Sequence, residues 1–307
     1  MRFPLLFILF FLGTITIHAQ EFKSENRIKL SNIDSTLWAT FGQGDYPKAL
    51  ILARQSVEFA EEKFGTTDTA YANSMYGLGL LHNQLGQFKE AEEVFLATKD
   101  LQAKAYGQEH VWYLSTEVTL ANIYTSTGRY KDAAASYKRV IPVLKRVFGV
   151  RFDTYNQALF SQAALYFYMG EYEKSEIPYL EVVKNWSAVY GKNHYNYATV
   201  TNSLASLYMK MGRYKEAEPL VLEAKSVYAE ILGTDHAYYG GTLHNLGSIY
   251  TRLKKYKEAE LLFLENKEIL AKTVGTKHPT YLKGMNNLAN IHKQSGALLK
   301  AEGIFIE

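Results

Sequence analysis

Four of the eight histidines stand at one recurring position in the chain, where histidine could act as a metal ligand. These histidines are His110, His194, His236 and His278. Metal ligands must converge within about 2 Å of one ion. Successive copies are instead separated by a whole pair of helices, whose packed axes lie about 8–10 Å apart. The spacing therefore excludes a shared metal site and favours a role in loops or helix caps.

Other patterns with chemical meaning are weak or missing. The segment Gly77-Leu-Gly79-Leu-Leu-His82 resembles part of a dinucleotide-binding loop, but it lacks a third glycine and a preceding strand. The chain has no cysteine, and it contains no HExxH, GxSxG or phosphate-binding P-loop motif. The sequence thus predicts no catalytic residue, no metal and no cofactor, and we expect that the protein is not an enzyme.

The charges also limit the partners. Lys and Arg total 34, Asp and Glu total 31, and the formal net charge is only +3. These charges are interspersed, as in Lys215-Glu216-Ala217-Glu218, which is typical of solvated helix faces. A nucleic-acid-binding surface would need clustered basic residues. We therefore expect no nucleic-acid partner.

The elements that position these residues repeat every 42 residues. One series places an aromatic residue two positions after a glycine, and the other places a tyrosine six positions after a glycine. The first series is Gly44, Gly86, Gly128, Gly170, Gly212 and Gly296, with Lys254 in place of one glycine. The second series is Gly65, Gly107, Gly149, Gly191, Gly233 and Gly275. Each unit therefore has two turns and two uninterrupted stretches between them.

Both stretches have the apolar spacing of amphipathic helices, as with Leu204, Leu207, Tyr208 and Met211 in one first stretch. No stretch alternates with a period of two, so we expect no sheet. Small residues recur in each first stretch and mark a predicted close approach of the two helices. They are Gly79, Ala121, Ala163, Ala205, Gly247 and Ala289.

These residues resemble the tetratricopeptide repeat, whose pattern is matched by Leu204-Ala205, Tyr208, Gly212, Tyr214 and Ala217. The usual repeat has 34 residues. The 42-residue form ending in Gly-x-x-His is similar to the kinesin-light-chain type, and related bacterial arrays often precede a caspase-like CHAT domain. The resemblance implies an all-α, right-handed superhelical solenoid of antiparallel helix pairs over residues 28–307. We expect six full repeats and an incomplete seventh.

The first unit departs from the pattern, because Thr36-Leu37 and Thr40 replace its Leu-Ala and Tyr positions. We interpret it as a degenerate cap. At the other end, the sequence stops inside a predicted second helix, just after the apolar segment Gly303-Ile304-Phe305-Ile306. We therefore expect a longer protein with further repeats or an effector domain.

The resemblance also implies a peptide-binding groove lined by the first helices. The predicted groove residues are Tyr76, Asn122, Phe160, Asn202, Lys210, His244, Arg252, Asn286, Asn290 and Lys293. Asn side chains can bond both donors and acceptors of a peptide backbone, and the cations favour an acidic segment. The predicted function is a protein- or peptide-binding scaffold. Two alternatives are the non-catalytic recognition region of a CHAT-type peptidase or signalling protein, and a self-assembling structural component of the envelope.

The N-terminus predicts export. A basic Met1-Arg2 precedes an apolar run, and Ala19 offers a small residue at a cleavage site. The apolar run is shorter than the ~20 residues that a membrane-spanning helix needs. We therefore expect a signal peptide at 1–19, a linker at 20–27, no stable membrane span after cleavage, and a secreted or periplasmic location.

Cleavage after Ala19 or Gln20 should leave Gln20 or Glu21 as the mature N-terminus, because the apolar run has the length and flanks of a signal peptide. Mass spectrometry of the chain recovered from its native host measures this directly. Recovery of the chain from the cytoplasm with Met1 intact would contradict the prediction.

Overall fold

The computed structural model describes the backbone of residues 5–294 and the side chains of residues 24–294, and within these residues it contains thirteen α-helices and no strand. The first helices of the pairs are α1 (Leu5–Gly42), α3 (Thr69–Gln84), α5 (Val111–Ser126), α7 (Asp153–Tyr168), α9 (Tyr195–Lys210), α11 (Ala237–Arg252) and α13 (Pro279–Gln294). The second helices are α2 (Tyr46–Phe64), α4 (Phe88–Tyr106), α6 (Tyr130–Phe148), α8 (Tyr172–Tyr190), α10 (Tyr214–Leu232) and α12 (Tyr256–Thr273).

The chain divides into two compact units, which meet in sequence between Val147 and Phe148. Within each unit, consecutive helices pack against each other as hairpins joined by short turns. This confirms the predicted all-α repeat fold, with six helix pairs followed by the first helix of a seventh. The second helix predicted for the seventh repeat lies outside the described residues.

Helix α1 begins well before the predicted start of the array at residue 28. Its described backbone continues without a break through 20–27, so this segment is helical in the structure. Asn26 is buried, and Arg27 bonds both carboxylate oxygens of Asp68 at 3.1 and 3.2 Å while lying 5.0 Å above the Phe64 ring. Asn26 and Arg27, which the prediction assigns to the linker, therefore pack with the first repeat in the structure. The signal-peptide boundary at residue 19 stays a prediction.

The helices of a pair meet where a small residue faces a large one. A Cβ added to Gly79 would lie 2.8 Å from the ring of Phe95, and a Cβ added to Gly247 would lie 2.8 Å from the ring of Phe263. These distances are too short for an ordinary contact, so a Cβ at either position would force the facing ring to shift. The predicted close approach of the two helices is thus confirmed at both glycines.

The first repeat uses the same contact with the sizes of the two residues exchanged. Leu37 occupies the place of Gly79, and Ala53 occupies the place of Phe95 in its own repeat. Both residues are almost fully buried in one apolar cluster. The first repeat therefore departs from the sequence pattern but keeps this contact, because the total volume of the two residues is preserved. Its interpretation as a cap stays a prediction.

The turns rely on left-handed backbone conformations. Gly212, for example, has a φ of 76°, and the other glycines of both series that lie within residues 5–294 share this region. Lys254 adopts it as well, with a φ of 61°, at the position where the other repeats have glycine. The repeat geometry thus overrides the local preference of a lysine.

The recurring histidines cap the first helices. The Nδ1 atom of His236 accepts a hydrogen bond from the backbone N–H of Tyr238 at 3.2 Å, and His110, His194 and His278 make the same contact two residues on. Asp68 replaces histidine in one repeat and accepts from the N–H of Ala70 at 2.8 Å. These bonds satisfy donors that a helix N-terminus leaves open. The predicted capping role is confirmed.

In the second unit, recurring tyrosines connect the two helices of a pair by hydrogen bonds. Tyr155, Tyr197 and Tyr239 are buried, and each donates its hydroxyl proton to a glutamate 26 residues later at 2.7–3.0 Å. Burial, together with the neighbouring Glu265 carboxylate, raises the pKa of Tyr239 to about 12. These tyrosines therefore remain neutral donors, and they stabilise the fold.

At the start of three second helices, α6, α10 and α12, a cation links neighbouring repeats. Arg213 bonds Glu176 of the preceding repeat at 2.8 Å and lies 4.0 Å above the ring of Tyr208. Arg129 and Lys255 occupy the same repeat position and make equivalent contacts. Most exposed cations at this position are thus used by the fold.

The described residues contain neither a candidate membrane-spanning helix nor a candidate metal-binding cluster. None of the helices there combines the length and apolar character that a membrane span requires. No three histidine, aspartate or glutamate side chains within that part of the chain cluster in a way that could hold a metal ion.

Gly247→Ala should have opposite effects in two backgrounds. In the natural chain it should lower the unfolding free energy by up to about 2 kcal/mol, because the ~1–3 kcal/mol cost of overpacking against Phe263 is offset only in part by the ~1 kcal/mol gained by removing a helical glycine. In the Phe263→Val background it should raise stability, because Ala205 and Val221 form this combination in the preceding repeat, where both are fully buried. Denaturant unfolding of the four chains measures both effects. A stabilising effect in both backgrounds would refute the contact.

Candidate functional site

The side chains of the first helices that are not packed against second helices form the first-helix face of each unit. Successive first helices contact each other across this face through pairs spaced by 43 residues. Asn245 donates its side-chain N–H to Asn202 Oδ1 at 2.9 Å, and Asn287 Nδ2 lies 3.3 Å from His244 Nδ1. Both pairs belong to the second unit, where the face is rich in amides. Direct contact between first helices places their remaining side chains side by side.

The first unit has a pocket on this face, which we call the aromatic pocket. Its volume is about 250 Å³. The lining residues are Asp34, Leu37, Trp38, Ser56, Asn73, Ser74, Tyr76, Gly77, Leu80 and Trp112. Trp38 and Trp112 are 42% and 43% exposed, although tryptophan usually belongs to cores. Two large exposed rings at one cavity are typical of a binding site.

The rings of the aromatic pocket are held by their neighbours. The Tyr76 and Trp112 rings meet edge to face with centroids 6.2 Å apart. Gly77 lies beneath Trp38, since a Cβ there would contact the indole at 3.6 Å. Trp38 also packs edge to face with Phe41 at 5.7 Å. The two indoles are thus exposed but positioned.

A carboxylate lies in the aromatic pocket. Asp34 Oδ1 accepts a hydrogen bond from the hydroxyl of buried Ser56 at 2.6 Å, and Ser56 Oγ lies 2.8 Å from the hydroxyl of buried Ser74. Among the side chains of residues 24–294, no basic group forms an ion pair with Asp34. The aromatic pocket therefore combines apolar rings with one uncompensated negative charge.

The second unit has a smaller and more polar pocket, which we call the amide pocket. Its volume is about 150 Å³. The lining residues are Ser248, Thr251, Arg252, Phe263, Asn287, Asn290 and Gln294. The structure therefore brings together two of the predicted groove residues, Arg252 and Asn290. Gln294 donates to Asn290 Oδ1 at 3.3 Å, which leaves the Asn290 amide protons available.

Three predicted groove cations also lie in the second unit. Lys210, Arg252 and Lys293 are exposed, and within the described part of the chain none of them makes an ion pair. By contrast, the cations Arg213 and Lys255 nearby in sequence are paired with glutamates. The unpaired cations are therefore available to an acidic partner.

The remaining predicted residues differ in their availability. Asn286 is exposed and Tyr76 lines the aromatic pocket, whereas Asn202 and His244 are half-buried and engaged with the next first helix. The expectation that Asn202 is a free side chain is therefore not met, because the fold uses its amide oxygen.

Asn122 and Phe160 serve mainly as packing residues. Asn122 accepts a hydrogen bond from the Tyr137 hydroxyl at 2.6 Å, which joins the two helices of its repeat. Phe160 is half-buried against Tyr179 and Trp186, with ring centroids 5.6 and 5.9 Å away. Both residues stand at the predicted register positions, but they contact second helices.

Sequence reasoning missed Asp34, Trp38 and Trp112. Asp34 and Trp38 stand 42 residues before Tyr76 and Leu80, so they occupy the groove positions of the first repeat. Extending the register one repeat towards the N-terminus would have found both. The exchanged sizes at Leu37 and Ala53 concealed this register by making the unit look degenerate.

His244 is the titratable group of the second unit's face. Its ring lies edge to face with Phe263 at 5.9 Å, and burial lowers its pKa from the ordinary value of 6.5. A neutral ring can accept the Asn287 amide proton, whereas a protonated one has no free lone pair. The contact between α11 and α13 therefore depends on the neutral form.

An all-α repeat protein with open first-helix faces is the class that these features define. The family model of the tetratricopeptide repeat matches residues 39–101, 83–146, 196–265 and 241–307, which is more than half of the chain. The chain belongs to the tetratricopeptide repeat family. The comparison with curated proteins finds no match.

Solved structures share this fold and include proteins of the kinesin-light-chain type. The TPR-like repeats of a Podosopora anserina protein described as a kinesin light chain are 23% identical, with a TM-score of 0.57, and the match covers 66% of this chain and 95% of that one. BtubC from P. vanneervenii is 21% identical, with a TM-score of 0.66 and coverages of 76% and 94%. NprR in complex with its cognate peptide NprX is 17% identical, with a TM-score of 0.58 and coverages of 95% and 84%.

Acidification should weaken the second unit through His244. A pKa that is lower in the folded than in the unfolded chain gives stability that is present above 6.5 and is lost as pH falls through the folded value. NMR titration of the His244 ring should therefore give a midpoint below 6.5. His244→Gln, which stays neutral, should reduce the fall in thermal stability between pH 7 and about 5. A midpoint at or above 6.5, or an unchanged fall in the variant, would contradict this role.

Proposed function

We propose that the chain is a non-catalytic scaffold that binds an extended peptide, or an extended segment of another protein, along its first-helix faces. The observation that carries the proposal is that these faces gather exposed aromatic rings, amides and cations, among them Trp38 and Trp112 in the first unit and Asn286, Lys210 and Arg252 in the second. The solved NprR complex supports it, because a protein of the same fold holds a peptide.

The second unit favours an acidic segment. Lys210 and Arg252 stand at the same position of successive repeats, at the ends of α9 and α11, so they follow one another along the face. Asn286 and Asn290 add exposed amides on α13. Amides can bond peptide N–H and C=O groups of any sequence, and the cations select carboxylates.

We propose an exported location for this scaffold, in the cell envelope or outside the cell. Support comes from the basic start and apolar run of residues 1–19, which have the pattern of a signal peptide. The complete absence of cysteine is compatible with an oxidising compartment. Export would restrict the partners to proteins and peptides that reach the same compartment.

Charge reversal tests the binding proposal. Random peptides displayed on phage are selected on the natural chain, and the affinities of enriched peptides are measured by fluorescence anisotropy. We expect acidic peptides to be enriched, and Lys210→Glu with Arg252→Glu should weaken them by about tenfold or more, with a reduced salt dependence. Thermal stability should barely change, because both side chains are exposed.

The matched control is Lys215→Glu with Lys257→Glu, which alters the net charge equally at exposed positions of the second helices α10 and α12. This control should bind the acidic peptides nearly as well as the natural chain. Equal weakening by both pairs would show that only net charge matters. The first-helix assignment would fail if neither pair affected binding, or if no peptide were enriched.

A further inference from the structure

The aromatic pocket of the first unit differs from the amide pocket in both shape and charge. Its wall consists of Trp38, Tyr76 and Trp112, and its single charged group is the Asp34 carboxylate. The electron-rich faces of indole rings attract cations, and tryptophan is the strongest of the aromatic residues in this respect. The rings and the carboxylate therefore favour the same kind of ligand group, which is positively charged and has a flat or apolar surface that can stack on the rings.

The carboxylate is prepared for a donor. The buried Ser56 hydroxyl, which also lies 2.8 Å from that of Ser74, donates to Asp34 Oδ1, and among the side chains of residues 24–294 no hydrogen bond uses Oδ2. A half-buried carboxylate without a cation carries a desolvation cost, which a charged guest would offset. A quaternary ammonium group could stack on the rings, but it has no proton to donate to this oxygen.

The volume limits the guest to one side chain. Sites for drug-sized ligands occupy about 300–1,000 Å³, and the aromatic pocket has about 250 Å³. The pocket also lies on the first-helix face, where the proposed peptide runs. A guanidinium group is planar, stacks on aromatic rings and donates to carboxylates, so it matches each of these features better than an ammonium group does.

We propose that the aromatic pocket binds an arginine side chain of a peptide partner, with the guanidinium stacked against Trp38 and Trp112 and donating to Asp34. The proposal rests on the proposed function, and it adds a specificity that the second unit does not have. A partner would present arginine to the first unit, and it would present acidic residues to the second.

Tryptophan reports on the site directly. The chain has three tryptophans, and only Trp186 lies away from the pocket, where it is buried and donates its indole N–H to Asp153 at 3.1 Å. With ¹⁵N-labelled tryptophan, the three indole N–H signals can be followed during titration with N-acetyl-arginine amide. The same titration with N-acetyl-citrulline amide, a neutral analogue of similar shape, tests the charge. N-acetyl-trimethyllysine amide tests a cation that cannot donate.

Arginine amide should shift the Trp38 and Trp112 signals and leave Trp186 unmoved. Its affinity should exceed that of citrulline amide and of trimethyllysine amide by about tenfold or more. Asp34→Asn keeps the size of the side chain and should remove the preference over citrulline. Trp112→Leu, at an exposed position, should weaken arginine binding while the Trp38 signal and the thermal unfolding midpoint confirm that the first unit is intact.

Equal binding of arginine and citrulline amides, tighter binding of trimethyllysine amide, or an unchanged preference in Asp34→Asn would each overturn the assignment. These results are separable from the test of the proposed function. If selected peptides bind through Lys210 and Arg252 while arginine amide moves neither exposed indole, the pocket assignment alone fails. If arginine amide binds as expected but no peptide is enriched, the scaffold proposal fails instead.

Discussion

The structure depends on one contact, the close approach of the two helices in each pair at a single small residue. Where that residue is Gly79 or Gly247, an aromatic ring of the second helix occupies the space, and a Cβ there would force the ring to shift. Where the large residue is Leu37, the partner shrinks to Ala53. Within each unit, a first helix packs against the second helices next to it in sequence, so only its remaining face is open to solvent. The repeats can therefore share one architecture while their first-helix faces differ.

The fold could be predicted because its signals are periodic and redundant. Turn glycines, buried tyrosines and small contact residues each repeat every 42 residues, so a departure such as Lys254 does not obscure the pattern. The histidine caps were also predictable, since their spacing excluded a shared metal site. At Leu37 and Ala53 the pattern failed, because packing preserves the summed volume of two residues and a pattern of single residues does not record it.

The candidate site was only partly predictable for a related reason. Register places a residue on a face, but it does not tell whether a neighbour takes up its polar atoms. Asn202 and Asn286 share a register position, yet Asn202 is bonded to Asn245 while Asn286 is exposed. Phe160 shares it too, and its length lets it reach the core around Trp186. The partner of each side chain is a property of three-dimensional packing, which the periodic pattern does not contain.

The repeats provide an internal comparison that separates structural from functional positions. The position two residues before the turn glycine is exposed in every described copy, yet it holds Tyr168, Lys210 and Arg252 in three successive repeats. The position of Ala205 is buried in every repeat, and it holds a small residue in every repeat after the first. A position under packing constraint keeps its size from copy to copy, whereas an exposed position can change chemistry at little cost to stability.

Aromatic, anionic and cationic groups therefore accumulate at exposed positions without disturbing the contact on which the fold depends. In the first unit these positions supply Trp38 and a carboxylate, and in the second they supply cations and amides. A partner that matched only one sign of charge would meet a favourable surface on one unit and an unfavourable one on the other. Under the proposed function, each unit would therefore select partner segments of the opposite charge to its own exposed groups, and a segment of the wrong sign would be rejected there.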